Sequence, residues 1–123
     1  MAHIIQIKAF SDNRGELRVI EKELPFEVKR VYYIHGKPDV VRGGHRHKHT
    51  DQLLICIHGS CIVSSNNGKG TEDFLLDSPS TALYVDRHDW HTMHHFTEGA
   101  VLLVLASTPY DINDYIDEAY PEH

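Results

Sequence analysis

The side chains best suited to chemistry are concentrated in residues 42–52, a basic stretch of an acidic chain in which histidines stand at positions 45, 47 and 49. If Gly43 and Gly44 form a loop and the next residues enter a strand, the alternation of side chains along that strand places His45 and His47 on one face. The unperturbed pKa of imidazole lies near neutrality, so this pair suits either metal binding or proton transfer. The spacing alone leaves both chemistries open.

The composition limits the kinds of protein in which this pair can act. The chain has 123 residues, of which 41% are hydrophobic and 24% charged, and this predicts one globular domain spanning residues 1–123. A net charge of -6 argues against a nucleic-acid partner, because a polyphosphate backbone requires a basic face. No apolar run approaches the roughly 20 residues of a membrane span, and the start of the chain lacks a signal-peptide pattern. We therefore expect a cytoplasmic protein with no membrane partner.

Almost every segment predicts a β-strand. Residues typical of strands recur over the segments 4–10, 16–21, 28–34, 53–57, 62–63, 73–76, 82–85, 91–96 and 100–106. Asn67-Gly68 is a hairpin-turn signal, and only residues 111–120 carry a helical period. About eight or nine short strands with at most one short C-terminal helix predict an all-β jelly roll or barrel, with a concave interior that can hold a ligand.

The histidines also fit a looser pattern, which resembles that of the cupin jelly rolls. That pattern has two histidines one residue apart, a carboxylate a few residues later and a third histidine on a later strand, and His45, His47 and His91 match the histidine places. Gln52 stands at the carboxylate place and supplies no charge to a divalent cation. Asp51 is adjacent, however, and three histidines can hold iron or zinc. A metal-dependent oxygenase with these three histidine ligands is therefore one hypothesis.

Two arginines belong to more specific elements. Residues 12–15, Asp-Asn-Arg-Gly, and residues 42–45, Arg-Gly-Gly-His, resemble two elements of the cupin-type nucleotide-sugar epimerases. In those enzymes the arginines hold the pyrophosphate and the histidine is the base. A guanidinium group matches phosphate oxygens bidentately and stays charged, which gives the assignment a physical reason. The resemblance thus implies that Arg14 and Arg42 bind a nucleotide sugar.

Further blocks in the same order look like the sugar 3,4-ketoisomerase family, namely residues 28–34, 42–48, 59–60, 83–85, 90–91, 100–107, 110–111 and 114–116. Members of that family move the keto group of dTDP-4-keto-6-deoxyglucose from C4 to C3 through an enediol. The resemblance implies that His45 and His47 carry the proton transfers without a metal or any other cofactor. It also implies a homodimer that exchanges N-terminal strands. The neutral Gln52 agrees with the expected independence from metal.

The remaining candidates for substrate binding are Tyr33 and His91, although an aromatic residue in a β-branched strand can equally pack in the core. Arg46, Thr92 and the pair Asp86-Arg87 depart from the family pattern. Alternation places Arg46 outward, where it leaves the chemistry intact, whereas the changes near His91 leave the identity of the substrate and the C4 configuration of the product open. A third hypothesis is a noncatalytic cupin whose histidines only hydrogen-bond a sugar nucleotide.

Overall fold

The computed structural model describes residues 2–121, and short strands follow one another along almost all of them. A single turn of 3₁₀-helix, Ile112–Asp114, precedes the last strand. In chain order the strands are β1 His3–Gln6, β2 Lys8–Asp12, β3 Gly15–Val19, β4 Arg30–His35, β5 Arg42–His47, β6 Gln52–His58, β7 Cys61–Asn66, β8 Thr71–Leu76, β9 Thr81–Val85, β10 Trp90–His94, β11 Val101–Ala106 and β12 Tyr115–Ile116.

Ten of these strands form two five-stranded antiparallel sheets. The first sheet has the order β1-β9-β6-β11-β4 and the second has the order β12-β5-β10-β7-β8, while β2 and β3 form a separate hairpin. The Asn67-Gly68 turn joins β7 to β8, and Gly68 has a φ of 92°, which glycine adopts without steric cost. The predicted all-β jelly roll is confirmed.

The core lies between the inner faces of the two sheets. Along β11, for example, Leu102 and Val104 are buried and Leu103 between them is only partly so, as the period of a strand requires. Residues of both sheets meet in one cluster, in which Leu54 and Leu102 of the first sheet pack with Val63 of the second. This cluster fills one end of the jelly roll with apolar side chains.

Residues 20–26 cover part of the outer face of the first sheet. Leu24 and Phe26 pack there against Leu53 and Ile55 of β6, together with the buried Ile7. Farther along the same face, Tyr33 of β4 and Ile57 of β6 are 64% and 46% exposed. The chain thus leaves part of an apolar sheet face uncovered.

Two predicted segments form other elements than expected, and the ends of the other predicted strands differ from the structure by at most three residues. The expected strand over residues 4–10 is two strands, because the chain leaves the first sheet at the buried Ile7 and continues into the β2–β3 hairpin. The C-terminal segment is helical only over Ile112–Asp114, and β12 then pairs with β5. Backbone pairing with β5 satisfies groups that a longer helix would have to satisfy internally. Within residues 2–121 no helix has the length and apolar character needed to cross a membrane.

Candidate active site

Strands β5 and β10 run side by side at the open end of the second sheet and carry three histidines. Gly43 and Gly44 lie inside β5 with φ angles of 85° and 81°, and do not form the loop expected before it. A Cβ at Gly43 would lie 2.9 Å from the carbonyl oxygen of His91. Glycine at this position therefore lets β5 approach β10 closely. The resulting register places His45 opposite His91.

The three imidazole rings form a compact cluster. The ring centroid of His45 lies 5.1 Å from that of His47 and 5.4 Å from that of His91, and His47 and His91 are 6.4 Å apart. The ring of Tyr115 lies 4.7 Å from both His45 and His47 and closes the cluster on the side of β12. The structure thus brings together the two histidines that strand alternation predicts on one face.

His47 is oriented by a buried carboxylate. Its Nδ1 lies 2.8 Å from Oδ2 of Asp114, and the two side chains are 2% and 5% exposed. Asp114 also accepts hydrogen bonds from the Thr50 hydroxyl and from the backbone amide of His49. Because an ionised carboxylate only accepts, Nδ1 of His47 carries the proton and Nε2 presents a lone pair. That Nε2 is buried and has no hydrogen-bond partner among the described residues.

The electrostatic setting keeps these imidazoles neutral at physiological pH. Burial, followed by repulsion from His47, lowers the pKa of His45 to about 4. Burial is also the main cause that lowers the pKa of His91 to about 4. For His47 burial again lowers the pKa, although Asp114 acts in the opposite direction. Neutral imidazoles with free lone pairs can act as general bases.

A cavity of about 380 Å³ opens in front of the cluster. His45 and His91 lie in its wall, and His47 lies directly behind them. The charged residues of the wall are arginines, and no carboxylate of the described residues lines it. A cavity whose charged residues are arginines and whose other walls are largely apolar and aromatic suits an anionic ligand such as a phosphorylated sugar. The wall consists of Arg30, Tyr32, Ile34, Arg42, Gly43, His45, Gln52, Leu54, His91, Met93, Val104, Tyr110 and Tyr115.

Tyr32 and Gln52 form a polar pair in this wall. The Gln52 amide donates a hydrogen bond to the Tyr32 hydroxyl over 2.9 Å, and Gln52 is 2% exposed. The guanidinium of Arg30 lies 5.2 Å from the centre of the Tyr32 ring and 5.6 Å from that of Tyr110. Burial raises the pKa of Tyr32, so the phenol stays protonated at neutral pH.

The side chains at this site do not fit a cupin metal centre. Within residues 2–121 no group of three or more His, Cys, Asp or Glu side chains is arranged to hold a metal ion. Gln52 turns its amide donor to Tyr32, and the carboxylate of Asp51 is bound by Arg87 at 3.0 Å. The carboxylate of Asp51 is therefore engaged elsewhere, and Gln52 offers only a neutral amide oxygen.

Several known proteins are similar to this chain in fold and in sequence. The sequence model of the family described as "FdtA: WxcM-like, C-terminal" matches residues 1–122. The chain belongs to this family. It is 46% identical over 116 residues to the TDP-4-oxo-6-deoxy-alpha-D-glucose-3,4-oxoisomerase of Aneurinibacillus thermoaerophilus, and the match covers 92% of this chain and 84% of that protein.

Solved structures of ketoisomerases superpose closely on this FdtA-family chain. The TDP-quinovose 3,4-ketoisomerase WlaRB of Campylobacter jejuni has a TM-score of 0.92 and 45% identity, over 95% of this chain and 92% of that one. A mutant of the 3,4-ketoisomerase QdtA of Thermoanaerobacterium thermosaccharolyticum, in complex with TDP-4-keto-6-deoxyglucose, has a TM-score of 0.91 and 41% identity, over 95% and 87%.

Two of the residues expected to bind substrate lie outside the cavity. Arg42 and His91 line it, but Tyr33 is 64% exposed on the outer face of the first sheet. Arg14 is at the tip of the β2–β3 hairpin, where its guanidinium pairs with Asp12 at 2.6 Å and its side chain is 86% exposed. Within one chain, therefore, Arg14 and Tyr33 are separated from the histidine cluster.

The departures from the family pattern also lie outside the cavity wall. The Arg46 guanidinium stacks over the ring of Tyr120 at 4.5 Å, and Arg87 pairs with Asp51. Thr92 is partly buried, next to His91 along β10, and does not line the cavity. None of Arg46, Arg87 and Thr92 is part of the cavity wall.

The sequence interpretation missed Arg30, Tyr32 and Asp114. A signal for the first two was available, because Ile34 is the most apolar candidate for the inner face of β4 and alternation then places Arg30 and Tyr32 on the same face. The structure shows this arrangement, since Arg30, Tyr32 and Ile34 all lie in the cavity wall. For Asp114 the family-like block 114–116 was a signal, but its contact with His47 could not be read from it, since that contact depends on a fold-back of the C-terminal segment onto β5.

Proposed function

We propose that this protein is a dTDP-sugar 3,4-ketoisomerase, which converts a dTDP-linked 4-keto-6-deoxyhexose into its 3-keto isomer. The observation that carries the proposal is the neutral, cavity-facing His45 in a wall whose charged residues are arginines. The 46% identity to a TDP-4-oxo-6-deoxy-glucose 3,4-oxoisomerase supports the same reaction. A cytoplasmic location is part of this proposal.

The reaction needs a base and an acid but no external oxidant, because C3 is oxidised as C4 is reduced. The C3 hydrogen is acidic because it lies next to the C4 ketone. When His45 removes it as a proton, the electron pair of the C–H bond forms the C3=C4 double bond and the carbonyl electrons move to O4. Protonation of O4 gives the enediol. Loss of the O3 proton and delivery of a proton to C4 then complete the isomerisation.

His45 is the base at C3 because its ring lines the cavity. His47 lies behind it, is held in one tautomer by Asp114, and completes the proton transfer at C4 or at the hydroxyl groups. The centroid separation of 5.1 Å allows the two rings to serve different edges of one sugar. The two histidines therefore have separate roles.

The phosphates are held by arginines from two chains of a homodimer. Arg42 lies at the rim of the cavity, and Arg14 of the exchanged β2–β3 hairpin reaches the cavity of the partner. Two apolar residues of the hairpin, Phe10 and Leu17, are 60% and 58% exposed in the single chain, which supports contact with a second copy. The uncovered outer face of the first sheet supports the same assembly.

The alternative of a metal-dependent oxygenase is disfavoured by the neutral Gln52 at the carboxylate place and by the pairing of Asp51 with Arg87. Incubation of EDTA-treated protein with dTDP-4-keto-6-deoxyglucose, followed by NMR, tests both the activity and its independence from metal. We expect the 3-keto isomer to form at an unchanged rate after chelation. Absence of the isomer from untreated protein would refute the proposed function, and loss of activity that only iron or zinc restores would refute the metal-independent mechanism.

A further inference from the structure

We propose that Tyr32 is a further catalytic residue, which donates a hydrogen bond to the enediolate oxygen, and that Gln52 sets the direction of that hydrogen bond. The inference rests on the proposed ketoisomerase function. It concerns the negative charge that develops on O4 when the C3 proton is removed. A base alone does not stabilise this charge, so the site requires a donor aimed at the oxygen.

The direction of the hydrogen bond between the two side chains carries the proposal. Gln52 donates its amide proton to the Tyr32 oxygen, so the phenol acts as an acceptor in that bond. The single O–H proton of the phenol remains available, and no other hydrogen bond is made by this hydroxyl among the described residues. Since Tyr32 lies in the cavity wall with His45 and His91, a ligand in the cavity is within its reach.

The surroundings favour a developing negative charge next to this phenol. The Arg30 guanidinium stacks on the Tyr32 ring, and Arg42 lies in the same wall. No carboxylate of the described residues lines the cavity, so nothing in its wall repels an enediolate. A phenol that is protonated at neutral pH can donate to the oxyanion without first losing its proton, and the enediolate then needs no full proton transfer from Tyr32.

The donor role of Tyr32 explains why Gln52, an amide, stands at the place where cupins usually carry a glutamate. A glutamate carboxylate would accept the phenolic proton and turn it away from the cavity. The amide does the reverse, because it donates and leaves the phenolic proton for the substrate. The departure that weakens a metal site therefore creates an oxyanion donor.

Removal of the phenolic hydroxyl is the first test. Tyr32→Phe should lower kcat and the exchange of the C3 hydrogen with deuterated solvent by about 10²-fold, the usual effect of losing one oxyanion donor. Its affinity for dTDP should stay within about threefold of the wild type. Tyr84→Phe is the matched control, since Tyr84 packs against the covered outer-face cluster of Leu53 and Ile55 and is not part of the cavity wall, and its kcat should be unchanged.

The second test leaves Tyr32 in place and replaces the hydrogen-bond donor of Gln52 with an acceptor. In Gln52→Glu, the carboxylate at pH 8 should accept the phenolic proton and lower kcat about as much as Tyr32→Phe does. Burial raises the pKa of a carboxyl but the nearby Arg30 lowers it, so the pH is lowered to about 4.5, near the ordinary pKa of a glutamate, to protonate this side chain. The protonated acid donates as the amide does, and the ratio of variant to wild-type kcat should therefore rise at least tenfold as the pH falls.

The outcomes separate the two proposals. Wild-type protein that makes no 3-keto isomer overturns the ketoisomerase function and the role of Tyr32 with it. An active wild type with normal C3 exchange in Tyr32→Phe overturns only the role of Tyr32, as does a loss of dTDP affinity in proportion to kcat. If Tyr32→Phe does not fold, the Gln52→Glu profile decides, and a ratio that does not change with pH overturns the proposal.

Discussion

The histidines of this site are tuned by different neighbours although they share one cavity. The pKa of His45 is about 4 because of burial and the adjacent His47, so its imidazole is neutral and available as a base. His47 is instead fixed by Asp114, whose carboxylate accepts from Nδ1 and from Thr50. Burial acts to raise the pKa of Asp114, but its hydrogen bonds from Thr50, His47 and the His49 amide lower it on balance.

The orientation of His47 can be tested with Asp114→Asn. The amide oxygen of the asparagine should accept from the His49 amide, which leaves its NH₂ group facing Nδ1 of His47. His47 is then forced into the tautomer with the proton on Nε2, which is the wrong one for a base. We expect kcat to fall by about 10²–10⁴-fold with little change in dTDP affinity. Steady-state kinetics and dTDP calorimetry measure the two effects.

A matched control lies three residues away. Asp111 is exposed and accepts from the Asn113 amide at the start of the 3₁₀-helix, so Asp111→Asn changes the same formal charge in the same segment. Its kcat should remain within about twofold of the wild type. An equal loss in both variants would show that the segment as a whole, and not the tautomer of His47, determines the rate.

Among the elements, β4 and β5 show how far a sequence pattern can specify a site. Alternation was sufficient to place His45 and His47 on one face of β5. In β4 the interpretation chose Tyr33 from its aromatic character, whereas the buried Ile34 fixes the parity that places Tyr32 inward. Alternation shows which residues share a face, but one buried residue of the strand is needed to tell which face is the inner one.

The β2–β3 hairpin carries Arg14 at its tip. Arg14 is fully outside the cavity of its own chain, so its contribution to phosphate binding depends on a partner chain. Arg14→Ala and Arg42→Ala should each weaken dTDP binding by about 10- to 100-fold, corresponding to about 1.5–3 kcal/mol for a lost charge-assisted hydrogen bond. Arg18→Ala is the control on the same hairpin. Arg18 donates a hydrogen bond to Ser80 of its own chain, so this change should leave dTDP binding unaltered.

Mixed dimers distinguish exchange between chains from a role within one chain. Coexpression of an Arg14→Ala chain with a His45→Asn chain gives heterodimers in which one cavity combines an intact His45 with an intact Arg14 from the partner. The heterodimer should recover about half of the wild-type activity at limiting substrate. Recovery would not occur if Arg14 served the cavity of its own chain, since each cavity would then keep one defect.

At the scale of the whole molecule, the neutral histidines couple stability to pH. The folded pKa of about 4 for the buried His91 lies below the ordinary value of 6.5, so between pH 6.5 and 4 the unfolded chain binds the proton and the folded chain does not. Stability should therefore fall as the pH falls through this window, by up to about 3 kcal/mol for His91 and by less for the partly exposed His45.

Urea unfolding at pH 7.0 and at pH 4.5 measures this loss. His91→Gln should be less stable than the wild type at pH 7 but should lose less stability on acidification. The pKa of Asp114 is lowered from 3.8, so its own contribution is lost only below this window. A wild-type free energy of unfolding that stays constant from pH 6.5 to 4.5 would contradict the buried neutral state of His91.

The overall fold followed from local signals, whereas the completed site did not. Short alternating segments and tight turns predicted the jelly roll, and the spacing of the histidines predicted their shared face. Asp114 and Tyr115 lie more than 60 residues from His47 and His45 along the chain and reach them only because β12 pairs with β5. Such long-range pairing depends on the packing of the whole molecule, so the family-like block 114–116 did not show by itself which residues it contacts.

The central claim is that an enediol forms through proton transfer by His45 and His47. Its most direct test is the conversion of dTDP-4-keto-6-deoxyglucose in deuterated water, with deuterium located by NMR. The account predicts deuterium at C4 of the 3-keto product, complete loss of product and of C3 exchange in His45→Asn, and some remaining C3 exchange without product in His47→Asn. A product that retains the original C3 hydrogen at C4 without solvent deuterium, or wild-type turnover by both variants, would contradict it.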